Sequence, residues 1–180
     1  MLNVEYTGLI LVDVQGNLAR KVHESETTIK NIKNLLRGCQ ILDVPVVWLE
    51  QNPEGLGGTI EELSVHMKDN NEPIPKFYFN AMAEEAVENR IKALNKQNWI
   101  ICGIEAHICV YQTVMGLLQR NYTVEVVADA ISSRKKENID IALSKFERAG
   151  VGITNVEMCL YELMRTSQRK EFKEILSLIK

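Results

Sequence analysis

Short apolar runs rich in β-branched residues alternate with helix-period segments along the whole chain, and this alternation constrains the fold more than any other feature. Residues 8–14, GLILVDV, form an apolar run interrupted only by Asp13 near its end. Such continuity fits a strand of a parallel sheet, which helices cover on both faces. Further runs follow at 44–49 (VPVVWL), 74–79 (IPKFYF), 98–103 (NWIICG), 122–128 (YTVEVVA, closed by Asp129) and 151–154 (VGIT). Between the first two, Ile29, Ile32, Leu35, Leu36, Cys39 and Leu42 recur at helical spacing. Pro53, Gly55, Gly57 and Gly58 mark a loop, with a short helix expected near 59–66. Helices are expected at 83–95, at 107–119 and at 137–149, the last ending at Gly150. One or two more complete the chain, with Phe172, Ile175, Leu176 and Ile179 on an apolar face.

Strands alternating with helices predict a three-layer α/β/α architecture: a doubly wound, Rossmann-like, six-stranded parallel sheet in a single domain over 1–180. Right-handed crossovers leave few strand orders, and the expected one is 3-2-1-4-5-6. Strands one and four are then neighbours at the point where the order reverses, and ligands bind there, beyond the carboxyl ends of the strands. This singles out the loop carrying Asp13 and Gln15 and the loop from Gly103 to Cys109. Strand one leads into DVQGNL, without the GxGxxG of dinucleotide sites, so no such cofactor is expected.

Composition removes other classes. The net charge of -3 gives no support to a nucleic-acid or membrane partner. The basic stretch Arg134, Lys135, Lys136 reads as a solvated face before a helix. The first residues lack the basic region and cleavage site of a signal peptide, and no apolar run approaches the roughly 20 residues that span a bilayer. A cytoplasmic location is expected. The four cysteines, Cys39, Cys102, Cys109 and Cys159, form no CxxC pair and read as free thiols.

Three residues carry candidate chemistry. Asp13 interrupts an apolar strand, where a carboxylate is costly without a partner or a task; capping a nearby turn is the equal alternative. Cys109 falls in the first turn of the helix leaving strand four, where the dipole favours a thiolate and lowers its pKa, although an arbitrary cysteine is more often a packing residue. Lys76 precedes Phe77, Tyr78 and Phe79 and is able to stabilise both other groups, against the plainer reading of an exposed edge-strand lysine.

LILVDVQ at 9–15, PKFYFNAM at 75–82 and GIEAHICV at 103–110 together resemble the isochorismatase-like cysteine hydrolases. The loop EQNPEGLGGTIEEL at 50–63 and the GIEAH segment resemble the isochorismatase domain-containing subfamily, Ala106 standing where many amidase members have threonine. The resemblance implies Asp13, Lys76 and Cys109 as the catalytic group. It also implies a non-proline cis peptide between Ile104 and Glu105, with an oxyanion site made by the Glu105 and Cys109 N–H groups beside Ala106. Asn80, Ala81 and Met82 depart from the family's usual lysine motif, which bears on pocket shape. Nicotinamidase relatives hold a metal with an aspartate and two close histidines, whereas His23, His66 and His107 are far apart in this sequence; no metal and no other cofactor is expected. Isochorismatases proper need no cysteine nucleophile, so Cys109 favours attack on an amide or ureide carbonyl.

The expected function is therefore hydrolysis of a small amide, ureide or related C–N bond through a thioester on Cys109, with Asp13 as base. Gln15 and Glu105 are expected to orient the small-molecule substrate, and Trp48, Tyr78 and Phe79 to line its pocket. His107, two residues from Cys109, lies off its helix face and is not expected to act as base. The alternatives are a non-catalytic binding or scaffold protein on the same fold, or a nucleic-acid-processing protein. A homo-oligomer is expected, with Tyr161, Leu163, Met164 and the C-terminal helix as a subunit contact.

Overall fold

A computed structural model describes residues 1–67 and 71–180. Six parallel strands form one sheet: β1 (Thr7–Val12), β2 (Val46–Gln51), β3 (Ile74–Lys76), β4 (Asn98–Ile104), β5 (Thr123–Ser132) and β6 (Gly152–Thr154). Their order is β3-β2-β1-β4-β5-β6. The predicted architecture and strand order are thus those observed.

Side chains alternate along each strand, and both faces are buried. On β1, Leu9 and Leu11 enter one core while Ile10 and Val12 enter the other. The first core is closed by α1 (Leu18–Lys21), α2 (Ser25–Ile41), α4 (Glu61–Ser64), α8 (Val156–Met164) and α9 (Phe172–Ile179). Between α1 and α8, α3 (Pro53–Leu56) contributes no buried residue. The second core is closed by α5 (Glu85–Leu94), α6 (Tyr111–Leu118) and α7 (Lys136–Arg148). On α7, a largely charged helix, only Ala142 and Phe146 are buried, four residues apart on one stripe. Burying a side chain such as Phe146 contributes about 1.5–3 kcal/mol, so this pair anchors the helix.

Register delivers the site. Val12 pairs with both Leu49 and Gly103, and Gln51 pairs with Lys76. The carboxyl ends of β1, β2, β3 and β4 therefore arrive together. Gly103 has φ 119°, and a Cβ there would lie 2.1 Å from the Val12 carbonyl oxygen. Only glycine permits this approach, which holds the end of β4 against the end of β1.

Several elements differ from expectation. The third strand ends at Lys76, and 77–80 is a loop. β5 runs past Asp129 to Ser132 because the β4–β5 register shifts between Ile101 and Gly103, so the aspartate sits in a bulge. Leu163 and Met164, expected at a subunit contact, are 1% and 2% exposed. They pack in the chain's own core beside Ile175 and Leu178 of α9, and the apolar face of α9 is accordingly occupied from within.

Candidate active site

Asp13 follows the last residue of β1 with φ 52°, a left-handed conformation that aspartate tolerates better than most residues. Its carboxyl group is 2% exposed and meets the Lys76 ammonium, itself wholly buried, with Nζ 2.8 Å from Oδ2. Lys76 Nζ also donates to Gln51 Oε1 at 2.7 Å and to the Tyr78 carbonyl at 3.4 Å. The other carboxylate oxygen, Asp13 Oδ1, is buried without a partner. Burial pushes the Asp13 carboxyl up, against the pull of Lys76 and with a smaller push from Glu50.

Cys109 stands across from this pair. After Ile104 the chain enters a cis peptide to Glu105, then a π-helical turn, Ala106–Val110, that runs on into α6. The turn closes through the Val110 N–H donating to the Glu105 carbonyl at 3.3 Å. Cys109 Sγ reaches Gln51 Oε1 at 4.0 Å, and its thiol interacts with Asp13 and Lys76. The expected lowering of its pKa is reversed. Burial and the Asp13 carboxylate push the thiol up to about 12, against the opposing effect of Lys76. A helix dipole acts through exposed N–H groups, and here desolvation outweighs it. At neutral pH Cys109 is therefore held as the thiol.

The structure thus brings Asp13, Lys76 and Cys109 together, while the side chains of the other candidates are engaged elsewhere or exposed. Gln15 is wholly buried, and its amide is committed to backbone. Nε2 donates to the Gln51 and Gly57 carbonyls, and Oε1 accepts from the Gln51 N–H. With the Gly16 N–H donating to Gly58, it straps the 52–58 loop to the end of β1 rather than meeting substrate. The Glu105 carboxylate accepts from the Arg134 N–H and Nε at 3.0 and 2.9 Å, which hold it below the usual carboxylate range against its burial. Ala106 is buried at the start of the turn. His107 is held by Ser133 and Asn138, at 2.9 and 3.2 Å.

Trp48 lies on the opposite face of β2 from Leu49, in the α2-side core, and its indole N–H donates to Thr59. It does not line the site. Tyr78 and Phe79 are 61% and 51% exposed, and Phe77 is 69% exposed, beside Lys76. Their backbone is clamped from beneath: Glu84 accepts from the Phe77 and Tyr78 N–H groups, and Thr113 Oγ1 donates to the Phe79 carbonyl. Gln51 was not singled out by the sequence, because the apolar run of β2 stops at Leu49. Among the described residues, no three His, Cys, Asp or Glu side chains are grouped to hold a metal ion, and no helix is long and apolar enough to cross a membrane.

The isochorismatase domain family matches residues 7–158. The chain belongs to that family. Isochorismatase domain-containing protein 2 of Danio rerio is 34% identical over 179 residues, covering 99% of this chain and 89% of that protein. The structure of MAR1 ribonuclease from Caenorhabditis elegans superimposes with a TM-score of 0.93 at 34% identity, covering 99% and 91% of the two chains. The YcaC gene product of Escherichia coli, described as an octameric hydrolase of unknown specificity, shares the fold with a TM-score of 0.92 at 22% identity, covering 99% and 88%.

Proposed function

We propose that this isochorismatase-family chain is a cysteine hydrolase that cleaves a C–N bond of a small amide, ureide or related substrate through a thioester on Cys109. The observation that carries this reading is the wholly buried Asp13–Lys76 pair facing the Cys109 thiol, with one carboxylate oxygen unengaged. Asp13 accepts the thiol proton as Sγ bonds to the carbonyl carbon. The oxyanion is held by the Glu105 and Cys109 N–H groups, where fixed donors stabilise developing charge. Collapse breaks the C–N bond, and Asp13 returns the proton to the leaving amine. Water then attacks the thioester, giving one proton to Asp13, which restores the thiol as the acid departs. Lys76 offsets part of the cost of charge on the buried Asp13 carboxylate. The sequence of steps needs no metal or organic cofactor.

The C. elegans relative's name raises a second class of bond, the phosphodiester. Against it stands the ammonium at this site, which is wholly buried and fully engaged, together with the net charge of -3. A carbonyl substrate suits the site better than a polyanion. The test is a screen of small amides and ureides, with RNA as a parallel arm and Cys109→Ala as control. Hydrolysis of a C–N substrate lost in Cys109→Ala supports the proposal. Cleavage of RNA that survives Cys109→Ala, with no amide or ureide turned over, contradicts it.

The proposal extends to assembly and setting. The adjacent exposed aromatics Phe77, Tyr78 and Phe79, at the mouth of the site, suit burial against a second copy of the chain, as in a homo-oligomer. The octameric E. coli neighbour supports that reading. Four free cysteines and a thiol nucleophile suit a reducing compartment, hence the cytoplasm.

A further inference from the structure

Asp13 Oδ1 poses a physical question. A buried carboxylate oxygen without a donor is costly, and an ammonium stands beside it with three N–H groups to give. A bidentate contact would satisfy both oxygens, yet only Oδ2 is engaged. The reason is that the ammonium is already saturated. Its three acceptors are Asp13 Oδ2 at 2.8 Å, Gln51 Oε1 at 2.7 Å and the Tyr78 carbonyl at 3.4 Å.

Gln51 is held so that its oxygen must face this way. Its Nε2 donates to the Phe77 carbonyl at 2.8 Å, which directs the amide nitrogen outward and Oε1 inward. Its backbone N–H and carbonyl are both bonded to the Gln15 amide, at 2.7 and 3.0 Å. The strand register places it directly beside Lys76.

We propose that Gln51 is a positioning residue: by occupying one N–H of Lys76 it keeps Asp13 Oδ1 open as the acceptor of the Cys109 proton. It touches no reacting atom of the substrate in this role and gains or loses no proton. The transfer runs from Cys109 Sγ to Asp13 Oδ1, and Gln51 sets the direction from which the base can receive it. Removing its oxygen frees an N–H, for which Oδ1 is the adjacent unengaged acceptor. The carboxylate then becomes bidentate and its acceptor site is filled. The side chain suits the task because it is neutral, so it binds the ammonium without adding negative charge 4.0 Å from the thiol. The charged groups facing the thiol and carboxyl are Lys76 from β3 and Glu50 from β2, while the Glu105 carboxylate is turned to Arg134.

This inference rests on the cysteine-hydrolase reading, and its test separates the two. Alkylation of Cys109 by iodoacetamide, followed by peptide mass spectrometry across the acid to alkaline range, needs no substrate. The wild-type rate is expected to rise in two steps, first as Asp13 ionises and again as the thiol itself ionises. Asp13→Asn retains only the alkaline step. Gln51→Leu loses about tenfold or more of the near-neutral rate while keeping the alkaline step and an unchanged melting temperature, a partial loss of the ~10²–10⁴ that a positioned base supplies. Gln51→Met, whose flexible chain adapts to the space, behaves alike and serves if Gln51→Leu misfolds. Gln51→Glu, which again accepts from Lys76, restores the acid step and moves the alkaline step higher. If the non-accepting variants follow wild type at every pH, Gln51 does not position the base. If wild type and Asp13→Asn coincide, Asp13 is not the base, and the hydrolase mechanism itself falls.

Discussion

Asp13 and Lys76 are a buried ion pair in which neither group is useful or stable alone. Removing one partner of such a pair costs about 3–5 kcal/mol, because the other is left as an uncompensated charge. Lys76→Met is therefore expected to abolish activity and to destabilise the chain by about that amount near neutral pH. The pH dependence follows from the direction of the Asp13 shift. Its folded-state pKa lies above its ordinary value of 3.8. The stability that Asp13 contributes is thus fully present below that ordinary value and is lost as pH rises through the folded one. Without Lys76 the folded value rises further, so the variant's deficit grows from acid to neutral pH. Urea unfolding of both proteins across that range checks this; a deficit that shrinks with rising pH contradicts it. Cys109 teaches the companion lesson. Its place near a helix start was legible in the sequence, but the sign of its shift was not, since that depends on how deeply the turn is buried.

Among the elements, the meeting of β1 and β4 does most to set the geometry. Gly103→Ala places a methyl group against the Val12 backbone and asks alanine to hold φ 119°. A backbone clash of this kind, added to the ~1–2 kcal/mol of left-handed strain, is expected to lower stability by at least about 2 kcal/mol and to cut activity more steeply than stability. Unfolding and turnover of the same preparation test it, and unchanged activity would mean that Asp13 and Cys109 do not depend on that contact. Here the limits of a hydrophobic reading are visible. The run VPVVWL ended β2 at Leu49, yet the strand continues through Glu50 and Gln51. Both polar residues belong to the site: Glu50 receives the Thr59 N–H, and Gln51 holds Lys76. A polar pair at a strand end looks like a loop until a neighbouring strand supplies its partners. Asp129 misled in the same manner, because a bulge in β5 is a property of pairing with β4 and not of local composition. The helices facing the two cores were legible because their apolar spacing is local; the ion pair required register.

At the scale of the whole molecule, strand order pointed to the candidate site, since the reversal between β1 and β4 leaves a crevice at their carboxyl ends in any chain that folds this way. Residue chemistry singled out Asp13, Cys109 and Lys76 as candidates and the family resemblance joined them into one group, whereas the proposed subunit contact had to move. The core claimed Leu163 and Met164, leaving the aromatics at 77–79 as the exposed apolar feature beside the site. Light scattering on the purified chain is expected to report a multiple of 20.5 kDa, and Phe77→Ser with Tyr78→Ser to reduce it; a clean monomer overturns that assignment. Covalent chemistry at the Cys109 thiol is open to direct test by trapping the acyl-enzyme. Wild-type and Cys109→Ala proteins mixed with p-nitrophenyl acetate, quenched in acid within the first turnovers and digested, are compared by mass spectrometry. A hydroxylamine-sensitive acetyl group is expected on the Cys109 peptide of the wild type and none in Cys109→Ala. Equal ester turnover by the two proteins, with the Cys109 peptide unmodified, would contradict it.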